Sequence, residues 1–194
     1  MLSRLGWSIL LIILALGALF ASMVRIGPVA RPAERVAVPD TTGLPVDLAV
    51  PGALVVPVAG VQRGALHGDW GDERDGGARH HTGLDIMAPG GTAALAAADG
   101  TIERLWQSAA GGNTIYLRSA DRAWTYYYAH LAGYAAGLRE GQAVRAGQRI
   151  GYVGDTGNAG AGNTHLHFGV TRMRAGERWH QGQPVDPFPL LTGR

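Results

Sequence analysis

From Pro51 onward, glycine cuts every apolar run short. Thr114-Ile115-Tyr116-Leu117, Trp124-Thr125-Tyr126-Tyr127-Tyr128 and Arg149-Ile150-Gly151-Tyr152-Val153 are typical of the runs. Between them stand turn signals at short intervals: Pro89-Gly90-Gly91, Asp99-Gly100, Gly111-Gly112-Asn113 and Gly157-Asn158. Strands tolerate such punctuation and long helices do not, because a strand needs only a few residues between turns. With 30 glycines and 10 prolines among 194 residues, the pattern predicts an all-β domain of short strands in mainly antiparallel sheets. Thr92 to Ala98 is the one helical candidate, and its alanines suit a small-residue strand equally well. There is no internal repeat, and the length suits about one domain, typically ~100–200 residues.

The N-terminal part breaks this texture. Leu5 to Val24 carries no charge and is bracketed by Arg4 and Arg25, and its centre, Ile9-Leu10-Leu11-Ile12-Ile13-Leu14, is hydrophobic on every helical face. Such a segment is a membrane anchor or a secretory signal peptide. Leu19-Phe20-Ala21-Ser22 matches a small-x-small cleavage site poorly and the run is long for a signal core, so the expectation is an uncleaved transmembrane helix. From Arg25 to about residue 50, Pro28, Pro32, Pro39 and Pro45 recur without apolar periodicity, which describes an extended spacer reaching at most roughly 80 Å. The expected organisation is therefore residues 1–24 as anchor or signal, 25–50 as proline-rich linker and 51–194 as the folded domain.

Composition narrows the chemistry. Cysteine is absent, which removes disulfides, thiolate metal sites and a cysteine nucleophile, so any metal must be held by His, Asp or Glu. All seventeen basic Lys/Arg positions are arginine, set against fifteen acids. A net charge of +2 spread along the chain makes no basic stripe, which argues against nucleic acid as a partner. The seven histidines are the unusual resource.

Three histidine patches can be tested against strand geometry. In Arg79-His80-His81-Thr82-Gly83-Leu84-Asp85-Ile86, His81 and Asp85 share a face, with Gly83 between them leaving room for an ion. Leu84 and Ile86 then point to the core, and His80 falls on the face away from Asp85. In Thr164-His165-Leu166-His167-Phe168-Gly169-Val170, the two histidines lie on nearly opposite faces of a helix but on one face of a strand, opposite Leu166, Phe168 and Val170. Tyr126-Tyr127-Tyr128-Ala129-His130-Leu131 adds a histidine at a strand end. Each patch alone has a plain reading as surface or hydrogen-bonded histidine, and together they point to a metal site. His67 and His180, in glycine- and charge-rich loops, read as ordinary surface residues.

These patches resemble the lysostaphin-type, or LytM-domain, zinc metalloendopeptidases, which cut peptide bonds in peptidoglycan. The resemblance spans about residues 55 to 188 and runs in order through Gly71-Asp72-Glu73-Arg74, Arg79, His81-Thr82-Gly83-Leu84-Asp85-Ile86, Ala88-Pro89-Gly90-Gly91-Thr92, Tyr128-Ala129-His130-Leu131, Gly154-Asp155-Thr156-Gly157-Asn158 and His165-Leu166-His167-Phe168. It implies one Zn2+ held by His81, Asp85 and His167, with His165 and His130 as the non-ligand catalytic pair. Where the family often has Thr-Gly-Pro before His-x-His, this chain has Gly162-Asn163-Thr164, a difference that bears on substrate preference. Two histidines and one carboxylate leave a coordination position open, as catalytic zinc requires. No glutamate flanks the motif, so a histidine must serve as base. His165 is the expected base and His130 the oxyanion donor, although the two roles can be exchanged.

The resemblance further implies an endopeptidase acting on stem peptides or cross-bridges of peptidoglycan. It would sit in the cell envelope, with its domain outside the cytoplasm. The rival class is a non-catalytic LytM-like regulator that activates other wall hydrolases; such proteins have lost ligands, whereas all five positions are filled here. Which bond is cut, whether a regulatory protein partner is needed and the oligomeric state are not legible in the residues.

Overall fold

A computed structural model describes residues 54–193. The apolar run Leu5 to Val24 and the proline-rich linker lie outside these residues. Among the described residues, no helix is long and apolar enough to cross a membrane.

The strands are β1 (Glu73–Arg74), β2 (Arg79–His80), β3 (Leu84–Met87), β4 (Ala93–Leu95), β5 (Gly100–Ser108), β6 (Gly112–Ser119), β7 (Trp124–Leu131), β8 (Gly133–Tyr134), β9 (Ala143–Val144), β10 (Arg149–Tyr152), β11 (His165–Arg172) and β12 (Gln183–Val185), followed by helix α1 (Pro187–Thr192). All their pairings are antiparallel, so the described residues adopt the expected all-β architecture. The ambiguous Thr92 to Ala98 segment supplies strand β4, because its small residues pack flat where Ala94 and Ala96 are fully buried.

The largest sheet runs β12-β11-β7-β6-β5-β9, and β3 also pairs with β11. Strand β11 is its pivot. One edge pairs with β7; the other is shared by β3 opposite His165 to Phe168 and β12 opposite Val170 to Arg172. A second sheet, β4-β10-β8, and a small hairpin, β1-β2, complete the strands.

Period-2 alternation gives the main sheet its two faces. Leu84 and Ile86 of β3, Leu166, Phe168 and Val170 of β11, and Tyr126 and Tyr128 of β7 are buried in one core with Ile102, Ile115, Leu117 and Ile150. Burying each such side chain contributes about 1.5–3 kcal/mol before entropy is counted, so this face fixes the register. The opposite face of β3, β7 and β11 is then presented together by the same hydrogen-bonded ladders.

A candidate metal centre

The register determines what meets on the open face. His167 is paired with Asp85 of β3 on one side and with Ala129 of β7 on the other. Three atoms converge there: His81 Nε2 lies 3.0 Å from Asp85 Oδ1, and His167 Nδ1 lies 2.9 Å from both. His81 itself precedes β3 rather than lying in it, and its ring folds back over the strand to reach Asp85.

Gly83 makes room for a ring rather than for an ion, unlike the expectation from spacing. A Cβ at this position would stand 2.6 Å from His167 Cε1 and Nε2 and 2.9 Å from the Phe168 carbonyl oxygen. Any side chain would expel the imidazole from the cluster.

The donor set fits zinc. Two imidazole nitrogens and one carboxylate oxygen, mutually about 3 Å apart, can all lie ~2.0–2.2 Å from a single point, the usual zinc–ligand distance. His81, Asp85 and His167 are the group among the described residues placed to hold a metal ion, and the centre takes one zinc. The three side chains are 5, 22 and 18% exposed, so the cluster is anchored in the protein yet open on one side.

Asp69, which the sequence reading did not single out, supports this triad. Its backbone carbonyl accepts from His81 Nδ1 at 3.0 Å, and its carboxylate lies 3.2 Å from the same nitrogen. The carboxylate also accepts from the Asp85 backbone N–H, at 3.3 Å. Arg74 Nη2 donates to Asp85 Oδ2 at 2.9 Å, which occupies that oxygen and leaves Oδ1 for the cluster. Such outer contacts orient metal-binding side chains and set their basicity. Asp69 sits in an aperiodic loop with no spacing signal, so only the folded chain reveals it.

The electrostatics are those of a site built for a cation. Burial pulls the His81 pKa down, but hydrogen bonds to Asp69 and Asp85, with their charges, outweigh it and raise it from 6.5 to about 9. Burial would raise the Asp85 carboxyl, but bonds and attraction from His167 and His81 hold it well below the ordinary carboxylate range. A metal ion binding here must therefore displace a proton.

The two remaining candidates flank the cluster. His165 and His130 have ring centroids 4.8 Å apart, and His165 Nε2 lies 3.8 Å from Asp85 Oδ1. Each ring donates Nδ1–H to a carbonyl at 2.8 Å, His165 to Asn163 and His130 to Thr156. Carbonyls only accept, so in its neutral form each ring carries a lone pair on Nε2. Burial, the largest influence on His130, pulls its pKa below the ordinary histidine value.

His130 reaches the groove by breaking strand alternation. Tyr126 and Tyr128 face the core, and strict period-2 geometry would send His130 there too. Its φ of 59° is left-handed, which turns the imidazole into the groove and gives the core position to Leu131. A non-glycine residue held in that region is uncommon and concentrates at functional sites. The clasp is visible: His130 N–H bonds to the Gly111 carbonyl at 2.8 Å, and Thr156 Oγ1 donates to Leu131 O at 2.9 Å.

The groove above the centre is lined by Arg74, Arg79 and His80 of the β1-β2 hairpin and by Gly111, Asn158 and Asn163 of the loops before β6 and β11. Among the aromatic residues nearby, Tyr127 lines the groove, Tyr126 and Tyr128 are core, and Trp106 is not part of the lining and is 42% exposed. His80 is exposed at the rim with Nδ1 3.1 Å from the Gly71 carbonyl, and His180 is an exposed loop residue whose ring meets Trp179 edge-on.

Residues 79–187 match the model of Peptidase family M23. The chain is 37% identical over 128 residues to the L-Ala--D-Glu endopeptidase of Bacillus subtilis (strain 168), covering 63% of this chain and 38% of that relative. The chain thus spans well under half the length of this curated relative. The fold is similar to the catalytic domain of lysostaphin from Staphylococcus simulans, with TM-score 0.54 and 32% identity over 64% of this chain and 89% of that one. It is also similar to a zinc containing peptidase from Vibrio cholerae, with TM-score 0.51 and 26% identity over 63% of this chain and 35% of that one.

Proposed function

Because the chain belongs to peptidase family M23, we propose that it is a zinc endopeptidase hydrolysing peptide bonds in peptidoglycan stem peptides or cross-bridges. The observation that carries this reading is the juxtaposition of two kinds of histidine on one sheet face. His81 and His167 converge with Asp85 on one point, while His165 and His130 stand beside it with Nε2 uncommitted. A purely structural metal site would have no use for the second pair.

We assign His81 Nε2, Asp85 Oδ1 and His167 Nδ1 as the zinc ligands. Bound there, zinc supplies a Lewis acid that polarises the scissile carbonyl and acidifies water. His165 then accepts the proton of the attacking water at Nε2, while its Nδ1–H stays on the Asn163 carbonyl and fixes the ring. His130 hydrogen-bonds the developing oxyanion. Since its Nδ1–H is committed to Thr156 and burial favours the neutral ring, it can donate only after Nε2 has gained a proton. The short separation of the two rings suits such sharing.

The reading extends to the whole chain as residues 1–24 anchoring the protein in a membrane, 25–50 as spacer and 51–194 as the catalytic domain in the cell envelope. Fractionation of the full chain tests the anchor; a mature N-terminus near Ala21 or Ser22 would instead show a cleaved signal. The function itself is tested by incubating the zinc-loaded chain with purified peptidoglycan and analysing released fragments. New peptide termini are expected; their absence, with zinc bound, would favour the non-catalytic regulator.

A further inference from the structure

Hairpin β1-β2 brings two arginines, Arg74 and Arg79, to the groove, whereas the loops before β6 and β11 bring the uncharged Gly111, Asn158 and Asn163. Asp85 is the one carboxylate among the lining residues, and it belongs to the metal centre. The Arg74 guanidinium touches the metal centre directly. Its contacts to Asp85 at 2.9 Å and Asp69 at 3.4 Å both run from Nη2, while the side chain remains 37% exposed. Both contacts leave Nε and Nη1 as donors for a further acceptor. A guanidinium N–H that meets a carboxylate forms a charge-assisted hydrogen bond, roughly twice as strong as a neutral one.

Resting on the endopeptidase reading above, we propose that Arg74 is a specificity-determining residue. It selects peptides that carry a free carboxylate next to the scissile bond, in preference to neutral glycine bridges. The position of that carboxylate follows from the geometry. Arg74 touches Asp85 directly, so it stands beside the donor triad and not at the far end of the groove. Consecutive Cα atoms are ~3.8 Å apart, which puts the recognised group on a residue flanking the cleaved bond.

The test uses the zinc-loaded full chain and three synthetic peptides. Two are stem peptides that differ only in whether the α-carboxyl of D-Glu is free or a carboxamide, and the third is all glycine. Wild type should cleave the free acid about 10–100-fold more efficiently than the amide, the usual worth of a hydrogen bond to a charged group. In Arg74→Gln the ratio should fall to within about twofold. Any disturbance of Asp85 slows both peptides alike and cancels in the ratio, as in a double-mutant cycle. Arg74→Lys, with charge but no fork, should restore the preference only in part. Zinc stoichiometry on each preparation verifies that the centre is intact.

Equal cleavage of acid and amide by wild type, an unchanged ratio in Arg74→Gln, or cleavage of the glycine peptide as fast as the acid would each overturn the proposal. Failure of the zinc-loaded wild type to cut any peptide would instead sink the endopeptidase reading. The affinities of acid and amide, measured in the His165→Ala background with and without Arg74→Gln, would then still decide the role of Arg74.

Discussion

His165 and His167 stand two residues apart on one strand face, yet the geometry gives them different surroundings. His167 Nδ1 is within 2.9 Å of two other donors, whereas His165 Nε2 is 3.8 Å from the nearest of them. His165→Ala should therefore keep its zinc while turnover falls by about 10²–10⁴-fold, the worth of a general base. His167→Ala should lose zinc outright, since two protein ligands seldom retain the ion. Zinc stoichiometry and peptide cleavage on the same preparations check this, and the reverse pattern would exchange the two roles. Gly83→Ala gives a second test at this scale. Its methyl group would collide with the His167 ring and the Phe168 carbonyl, so zinc affinity should drop together with stability, the latter by about 1–3 kcal/mol. Competition with a chromophoric chelator and thermal unfolding read the two effects separately; unchanged affinity would mean that the ring has another place to sit.

Strand β7 shows how one element serves both core and groove. Its first residues alternate regularly, with Tyr126 and Tyr128 inward and Tyr127 outward. The left-handed residue at position 130 then places Ala129 and His130 consecutively over the groove and returns Leu131 to the core. For an L-residue that conformation costs roughly 1–2 kcal/mol, and glycine avoids it. His130→Gly should accordingly be more stable than His130→Ala by about 1 kcal/mol, although both lose the imidazole and should be similarly slow. Denaturant unfolding decides the order. Equal stability, or alanine the more stable, would mean that the strand does not hold the left-handed conformation once the imidazole is gone.

Across the whole domain, the metal centre ties folding to pH in opposite senses with and without zinc. The His81 pKa is raised from 6.5 to about 9, so its stabilisation is complete below pH 6.5 and is lost as pH rises through about 9. The Asp85 pKa is depressed, so its contribution is present above about pH 4 and is lost on acidification towards its lower folded value. After chelation the domain should thus be most stable between about pH 4 and 6.5 and weaken towards pH 9. Zinc binding competes with the same protons, so the increment in Tm on adding zinc should grow over that range. Thermal scans with and without zinc across pH 4–9 measure both, and an increment independent of pH would argue that His81 binds no proton in competition with the metal.

Residue spacing alone carried the fold class and singled out the histidine patches, because both depend on short-range periodicity. Glycine-punctuated runs can form little but short strands, and His165, His167 and Asp85 share the parity that leaves Leu166, Phe168, Leu84 and Ile86 for the core. Tertiary structure decided what periodicity cannot encode. Asp69 reaches the centre from an aperiodic loop twelve residues before His81. Gly83 is required by a ring on another strand, 84 positions away in the chain. His130 faces the groove because a left-handed backbone, clasped by the loops carrying Gly111 and Thr156, overrides the alternation of its own strand. Alternation is a property of one strand, whereas these three placements arise only when separate segments compete for the same space.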